Sequence, residues 1–349
     1  MARVFVAMSG GVDSSVAAAL LLQQGHDVTG VTMRLLSTED ETGSCCSLDG
    51  VRAAKRVCDT LGVPHYTLEF TEEFEREVIE RYCDDYAAGR TPNPCIVCND
   101  RMKFSELMRR VALQDAEFLA TGHYARIVEG ADGRRRLARG VDRAKDQSYF
   151  LYRMTPRQLD HTLFPLGGLT KPEVRELARS FALPTAERPE SQETCFVPDD
   201  DVRAFVRERR PDAFVPGEIR DATGAVVGSH NGVPGYTIGQ RRGLGLAGPG
   251  RSFVTAVDVA SATVTVGVKG AGSARVIVAG DPVWSGAGEQ RVTVRARYRG
   301  PEQSATALLT GDRLVVRFDE EIEAPAPGQA VVCWDGEIVV GGGVIEEAS

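Results

Sequence analysis

The sequence lacks several features that would assign the protein to a class at once. No apolar run is long enough to span a membrane, so we expect no membrane contact. The apolar stretch at residues 3–8 meets a glycine pair too early to act as a signal peptide, and we expect a cytoplasmic protein. The formal net charge is −8, so the overall basic excess typical of nucleic-acid-binding proteins is also missing.

The net negative charge is unevenly distributed along the chain. Residues 100–160 have a net charge of +4, whereas residues 1–99 and 161–349 have −7 and −5. An acidic protein can bind RNA through a local basic region, so the total charge excludes no RNA partner. Within that region we interpret the run Arg134–Arg136 as the solvated tip of a hairpin.

The chain has eight cysteines. In the cytoplasm, cysteines are more often reactive, metal-binding or buried than disulfide-bonded. Cys58, Cys83 and Cys333 fall in predicted helices or a strand, and we interpret them as structural.

The 349 residues are too many for one ordinary core, and their pattern changes after Pro211. Up to that point, apolar strands alternate with helices, which is typical of a parallel sheet covered on both faces. The predicted strands are 3–8, 28–33, 65–68 and 117–121, and the predicted helices are 13–24, 48–61, 71–88, 99–113, 159–183 and 199–210. Later residues form short β-rich segments separated by Gly, Pro and Asp, which is typical of small barrels or sandwiches.

We therefore predict an α/β fold with three domains. A parallel, doubly wound domain covers residues 1–210, a small β-rich central domain covers 211–275, and a C-terminal β-barrel covers 276–349. The boundaries follow the change in composition, and we found no convincing internal repeat.

The segment Ser9–Ser14 (Ser-Gly-Gly-Val-Asp-Ser) lies between the first predicted strand and the first predicted helix. Its glycines let the backbone approach a phosphate, and the following helix directs its amides and positive end at the anion. Asp13 can help to hold Mg²⁺. The Gly-Lys-Ser/Thr ending of a Walker loop is absent. The pattern resembles the PP-loop of ATP pyrophosphatases, which cleave ATP between the α and β phosphates.

Further motifs follow in a fixed order. They are Thr91–Asn99 (Thr-Pro-Asn-Pro-Cys-Ile-Val-Cys-Asn), Met102–Phe104, Gly122–Ala125, Lys145–Leu151, Glu190–Phe196, Gly239–Gly245, Arg297–Arg299 and Pro327–Gln329. Each motif alone is weak, but together they closely resemble the tRNA-specific 2-thiouridylase family over nearly the whole chain. The resemblance implies ATP-dependent replacement of the C2 oxygen of the wobble uridine, position 34, by sulfur in tRNAs for Glu, Gln and Lys.

This chemistry explains why a nucleotide loop and cysteines would occur together. Adenylation converts the C2 oxygen into part of AMP, which is a good leaving group, and a thiolate or persulfide can then attack C2. The resemblance implies that Cys98 is the nucleophile position and that Cys195 carries the persulfide sulfur. It also implies a sulfur donor, such as a cysteine desulfurase or a sulfur-relay protein.

The resemblance assigns the remaining site residues. The nucleotide contacts are Ala7, Met8, Ser9, Gly10, Gly11, Val12, Asp13, Ser14, Met33 and Gly122. The tRNA contacts are Asn93, Pro94, Cys95, His123, Lys145, Asp146, Gln147, Arg297, Tyr298 and Gln329. Asn93, Pro94 and Cys95 would surround the target base.

One position departs from the family pattern. Many members have Asp where this chain has Cys95, which creates Cys95-x-x-Cys98, and Cys45 and Cys46 form an adjacent pair, as in a cysteine-rich form of the family. Cys95 can be a simple substitution beside the base, with sulfur transferred by persulfide and disulfide exchange. Alternatively, Cys95, Cys98 and Cys195 hold a [4Fe–4S] cluster or a zinc ion.

Two other functions stay open at this stage. A small-molecule PP-loop synthetase that forms an amide would need an ammonia source and no reactive cysteine pair. A non-catalytic RNA-binding protein would hold ATP without cleaving it.

Overall fold

A computed structural model describes residues 1–36, 48–189, 194–246 and 251–349. The α-helices are α1 (Val12–Gln23), α2 (Leu48–Leu61), α3 (Thr71–Phe74), α4 (Glu80–Ala87), α5 (Pro94–Val97), α6 (Met108–Ala112), α7 (Pro156–Asp160), α8 (Lys171–Ser180) and α9 (Val202–Arg209). Two π-helical segments, Glu75–Ile79 and Cys98–Leu107, continue α3 and α5.

The strands of the first half of the chain are short. They are β1 (Arg3–Ala7), β2 (Asp27–Arg34), β3 (His65–Glu69), β4 (Phe118–Ala120), β5 (Ala125–Glu129), β6 (Arg135–Arg139) and β7 (Thr162–Leu163). The later strands are β8 (Gly217–Arg220), β9 (Val226–His230), β10 (Phe253–Asp258), β11 (Thr263–Gly267), β12 (Ala274–Trp284), β13 (Gln290–Arg295), β14 (Gln303–Thr310), β15 (Arg313–Ile322), β16 (Ala330–Asp335) and β17 (Ile338–Ala348).

The chain divides into two compact units. The first unit comprises Met1–Ile79, Cys95–Pro198 and Glu337–Val339, and the second comprises Glu80–Pro94, Asp199–Gly336 and Val340–Ser349. The three-domain boundaries predicted from the sequence stay a prediction.

The first unit contains a parallel sheet with the strand order β3-β2-β1-β4-β7. Val4 and Val6 of β1 are fully buried and pack with α1 and α8 in one apolar core. The direction of strand order reverses between β1 and β4. In open α/β sheets, ligands bind outside the carboxyl ends of the strands at such a switch point.

The second unit is rich in β-structure. One sheet has the order β10-β11-β8-β9. Within residues 251–349, six antiparallel strands in the order β12-β15-β14-β13-β16-β17 close into a barrel through pairing of β12 with β17. Closure pairs the edges of the sheet, and fully buried side chains such as Ile277, Val316 and Ile345 fill the interior. The predicted α/β fold with a C-terminal barrel is confirmed.

The helix predicted over residues 159–183 is wrong. The structure has α7, then the edge strand β7, then α8 in this part of the chain. Pro165, Gly167 and Gly168 interrupt the apolar pattern between the two helices. Both helices begin at capping boxes, on Thr155 and Thr170, that the prediction overlooked.

The last predicted helix of this half needs a smaller correction. Helix α9 has an acidic cap as predicted, but the cap is Asp201, whose side chain accepts the amide of Ala204 at 2.9 Å. The helix therefore begins later than residue 199.

Candidate active site

The loop between β1 and α1 has a conformation that requires glycine. Gly10 has a φ of +72°, and a Cβ atom there would lie 2.3 Å from the carbonyl oxygen of Gly50. The Ser14 hydroxyl accepts the Ser9 amide at 3.1 Å and donates to the Gly11 carbonyl at 3.2 Å. The loop is thereby folded tightly over the start of α1, where helix amides and dipole favour an anion.

Asp13, the second residue of α1, accepts hydrogen bonds from two distant side chains. The Lys171 ammonium lies 2.7 and 2.9 Å from its two carboxylate oxygens, and the Tyr124 hydroxyl donates to it at 2.8 Å. The Lys171 side chain is only 9% exposed, whereas that of Asp13 is 32% exposed. The Asp13 carboxylate is thus bound by buried side chains on one side and is exposed to solvent on the other.

Sequence reasoning overlooked both Lys171 and Tyr124. A signal for Lys171 exists, because it is the first residue of α8, where the helix dipole disfavours a cation. A buried lysine at that end of a helix needs a carboxylate partner.

Gly122 follows β4 and approaches the same loop. A Cβ atom at Gly122 would lie 2.7 Å from both the carbonyl carbon of Asp13 and the amide nitrogen of Ser14. The backbone after β4 is therefore in close contact with the first turn of α1. The structure brings together Gly122 and the predicted loop residues Ala7, Met8, Ser9, Gly10, Gly11, Val12, Asp13 and Ser14. Met33 lies near the carboxyl end of β2 and is half-buried.

The segment that contains Lys145, Asp146 and Gln147 is bonded to the partners of Asp13. Gln147 exchanges two hydrogen bonds with the backbone of Tyr124, at 3.0 and 2.9 Å. Asp142 accepts the backbone amide of Lys171 at 2.9 Å. Part of this predicted tRNA-binding segment therefore supports the nucleotide loop.

Asp146 itself is buried, although it is a predicted tRNA contact. Its carboxylate accepts the amides of Gly140 and Ser148 at 2.9 and 3.1 Å and the Ser148 hydroxyl at 2.9 Å. Its tRNA contact stays a prediction, and in this structure the carboxylate stabilises the turn.

His123 lies in a buried aromatic environment. Its Nδ1 is 2.6 Å from the Thr121 hydroxyl, and its ring packs beside Phe104 and Phe164. Burial, with the nearby Lys103 charge, lowers the pKa of His123 well below 6.5, so the ring is neutral. Its predicted tRNA contact stays a prediction.

The three candidate cysteines differ in exposure. Cys95 is exposed in the short helix α5, whereas Cys98 and Cys195 are half-buried. Cys98 is the first residue of the π-helical segment Cys98–Leu107, and such segments are frequent at functional sites. In the described parts of the chain, no three His, Cys, Asp or Glu side chains are grouped so that they could hold a metal ion.

The other cysteines follow the prediction where they are described. Cys58, Cys83 and Cys333 are buried in α2, α4 and β16, as predicted for structural residues. Burial raises the pKa of the Cys58 thiol to about 11 and raises that of Cys333 as well, which opposes thiolate formation. Cys45, Cys46 and residues 190–193 lie outside the described residues.

The predicted contacts in the second unit have identifiable partners. Arg297 donates to the carbonyls of Glu323 and Ala324 at 2.7 and 2.9 Å, and Gln329 donates to the carbonyl of Thr91 at 2.8 Å. Tyr298 is half-buried beside Arg297.

The remaining predictions fall in both units. Asn93 and Pro94 belong to the second unit, at the start of α5. In the first unit, β5 and β6 form the predicted hairpin, and Arg134 lies at its tip with a side chain that is 84% exposed. Arg135 and Arg136 are not at the tip, because they begin strand β6.

Three family models match successive parts of the chain. Residues 2–199 match the tRNA methyl transferase HUP domain, residues 203–268 the tRNA methyl transferase PRC-barrel domain, and residues 274–345 the aminomethyltransferase β-barrel domain. No helix among the described residues is long and apolar enough to cross a membrane.

Full-length relatives carry a more specific name. A protein of Heliobacterium modesticaldum is 49% identical over 353 residues, covering 98% of this chain and 92% of the relative. One from Geobacter metallireducens is 47% identical, covering 99% and 97% of the two chains, and one from Moorella thermoacetica is 49% identical, covering 99% of each. All three are named tRNA-specific 2-thiouridylase MnmA.

Proposed function

Because the chain belongs to the tRNA-specific 2-thiouridylase family, we propose that it replaces the C2 oxygen of a tRNA wobble uridine by sulfur, with ATP as activator. The substrates would be tRNAs for Glu, Gln and Lys, modified at position 34 in the cytoplasm. The identity of 47–49% over nearly the full length of the relatives carries this proposal.

The loop Ser9–Ser14 would bind the ATP phosphates. Its glycines allow close approach, and the start of α1 favours the pyrophosphate charge. Asp13 fits a role as a Mg²⁺ ligand, because magnesium prefers carboxylate oxygens and this carboxylate is partly exposed. Mg²⁺ would neutralise the pyrophosphate that leaves when the uridine C2 oxygen attacks the α-phosphate.

Sulfur transfer would use Cys195 and Cys98. A sulfur donor first leaves a persulfide on Cys195, and its terminal sulfur attacks C2 while the C2–O bond breaks and AMP departs. The Cys98 thiolate then attacks the inner sulfur, which releases the thiolated base and forms a Cys98–Cys195 disulfide. An external dithiol reduces that disulfide for the next cycle.

Cys95, Cys98 and Cys195 all lie in the described ranges, where no group of three residues that could hold a metal ion occurs. We propose that Cys95 lies beside the base and that sulfur is transferred by persulfide and disulfide exchange.

In vitro thiolation tests this function. Purified protein, tRNA, MgATP and a persulfide-generating desulfurase should yield thiolated tRNA, detected by retardation in mercury gels. We expect Cys98→Ser and Cys195→Ser to lose about a thousandfold or more in rate, the scale seen when a covalent nucleophile is removed. Cys333→Ala, at a cysteine buried in the core of the C-terminal barrel, is the matched control and should keep the rate.

Three results would contradict the proposal. Full thiolation activity in Cys98→Ser would overturn the role of Cys98 as nucleophile. Absence of thiolation by the wild type would favour a different PP-loop reaction, such as amide synthesis. Iron in anaerobically purified protein, at a level that tracks thiolation activity, would indicate the cluster route instead.

A further inference from the structure

Residues 89–91, which lead into the target-base segment, are fixed within the second unit. The Thr91 amide donates to the Pro327 carbonyl at 2.8 Å, and the Thr91 carbonyl accepts from the Gln329 side chain at 2.8 Å. The Thr91 hydroxyl donates to Thr237 at 3.3 Å. Both backbone polar groups of Thr91 are therefore bound by one turn of the barrel, Pro327–Gln329.

This turn is itself held firmly. The Gly328 amide donates to the Ile345 carbonyl at 2.9 Å, and the Ile345 amide donates to the Gln329 carbonyl at 2.8 Å. Ile345 belongs to β17 and is fully buried in the barrel core. Two backbone hydrogen bonds therefore tie the turn to a core strand of the barrel, which lets the turn hold the segment bound to it.

Two glycines make the close contact possible. Gly328 has a φ of +89°, and a Cβ atom there would lie 2.9 Å from the Thr91 amide nitrogen. Gly89 has a φ of +72° just after the end of α4, and a Cβ atom there would lie 2.8 Å from Val259. Larger residues at either position would push the 89–91 segment away from the β-rich unit.

We propose that the Pro327–Gln329 turn positions the loop that surrounds the target base, and that Gln329 acts through Thr91. Asn93 and Pro94 lie two and three residues after Thr91, so a shift of Thr91 shifts them. The Gln329 amide, predicted as a tRNA contact, is a positioning group in this assignment. The inference rests on the proposed function.

A glycine pair tests the contact. Gly328→Ala should lower the kcat of thiolation by about tenfold to a hundredfold, because displacements near 1 Å have effects of that size. Gly311→Ala is the matched control in the same barrel, since Gly311 also has a positive φ (+62°) but a Cβ atom there meets nothing within 4 Å. Gly311→Ala should lower the melting temperature about as much as Gly328→Ala does, but it should leave kcat unchanged.

A glutamine pair tests the role of the side chain. Gln329→Met keeps the length of the side chain but removes the donor to the Thr91 carbonyl. The kcat should therefore fall, while the KM for tRNA should change by less than about twofold. This pattern is expected when an interaction made only in the transition state is lost. Gln290→Met, at a half-buried glutamine bonded to Asp335 in the same barrel, should leave both unchanged.

The alternatives give distinct results. A raised KM for tRNA with unchanged kcat in Gln329→Met would indicate direct tRNA binding and overturn the positioning role. Equal kcat values for Gly328→Ala and Gly311→Ala would overturn it as well. Both outcomes leave thiolation by the wild type and Gly311→Ala intact, whereas failure of the proposed function would leave no thiolation to compare.

Discussion

Lys171, whose side chain is nearly buried, forms an ion pair with the partly exposed Asp13 beside the nucleotide loop. A lysine of this kind loses hydration, and it is stable there because two carboxylate oxygens and the Tyr124 ring surround it. The pair also fixes the direction of the Asp13 carboxylate, which the proposed reaction needs for Mg²⁺. Lys171 and Tyr124 are thus positioning residues for the loop.

Lys171→Met should lower tRNA-dependent release of AMP by about tenfold or more, since the Asp13 carboxylate would no longer be held in place. The substitution keeps the length of the side chain and removes its charge. Lys55→Met is the control, because Lys55 forms an exposed pair with Asp59, one turn away on α2, that contributes little. Measured by chromatography of the nucleotides, an unchanged kcat and KM for ATP in Lys171→Met would contradict the role.

The sequence predicted the loop residues better than their partners. Ser9–Ser14 is a contiguous motif between a strand and a helix, so its function can be read locally. Lys171 and Tyr124 are 158 and 111 positions from Asp13, and only the folded sheet brings them together. The burial of His123 and Asp146 likewise depends on packing that no local pattern encodes.

At the scale of elements, the turn after β4 makes a close contact with the first turn of α1, next to the loop Ser9–Ser14. Gly122→Ala should weaken ATP binding by about tenfold or more, because its methyl group would have to displace backbone atoms at the start of α1. Gly168→Ala is the matched control, since a Cβ atom there meets nothing within 4 Å. Isothermal titration with a non-hydrolysable ATP analogue measures both, and equal affinities would contradict the prediction.

The helices and strands whose side chains are most buried were predicted most accurately from the sequence. Strands β1 and β2 and helices α1 and α2 were predicted nearly to the residue, because continuous or periodic sets of buried apolar residues give a strong signal. Strand β7 has only two residues and no period to detect. Most side chains of strands β8 and β9 are exposed or half-buried, so no regular apolar alternation marks these strands in the sequence.

At the scale of the whole molecule, an acidic protein must bind a polyanion. The net positive charge of residues 100–160 should attract tRNA phosphates less strongly than the number of arginines suggests, because several of these arginines are paired with carboxylates. Examples are Arg109 and Arg110 with Glu106, and Arg136 with Asp132. Specific arginines outside such pairs should therefore dominate the attraction to tRNA phosphates.

Arg297 meets this description, since the two bonds described for its guanidinium go to backbone carbonyls, which leave its charge uncompensated. If it contacts a phosphate, Arg297→Gln should reduce the steepness of log KM for tRNA against log salt by about 0.7 to 1, the effect of one lost counterion release. Arg291→Gln removes the same charge from the same barrel, but Arg291 is already paired with Asp319, so the slope should stay. Initial thiolation rates across a salt series supply both slopes, and thermal melting checks that each barrel is folded. Equal slopes for wild type and Arg297→Gln would show that Arg297 contacts no phosphate. Equal losses of slope in both variants would show that net charge rather than a contact at Arg297 governs binding.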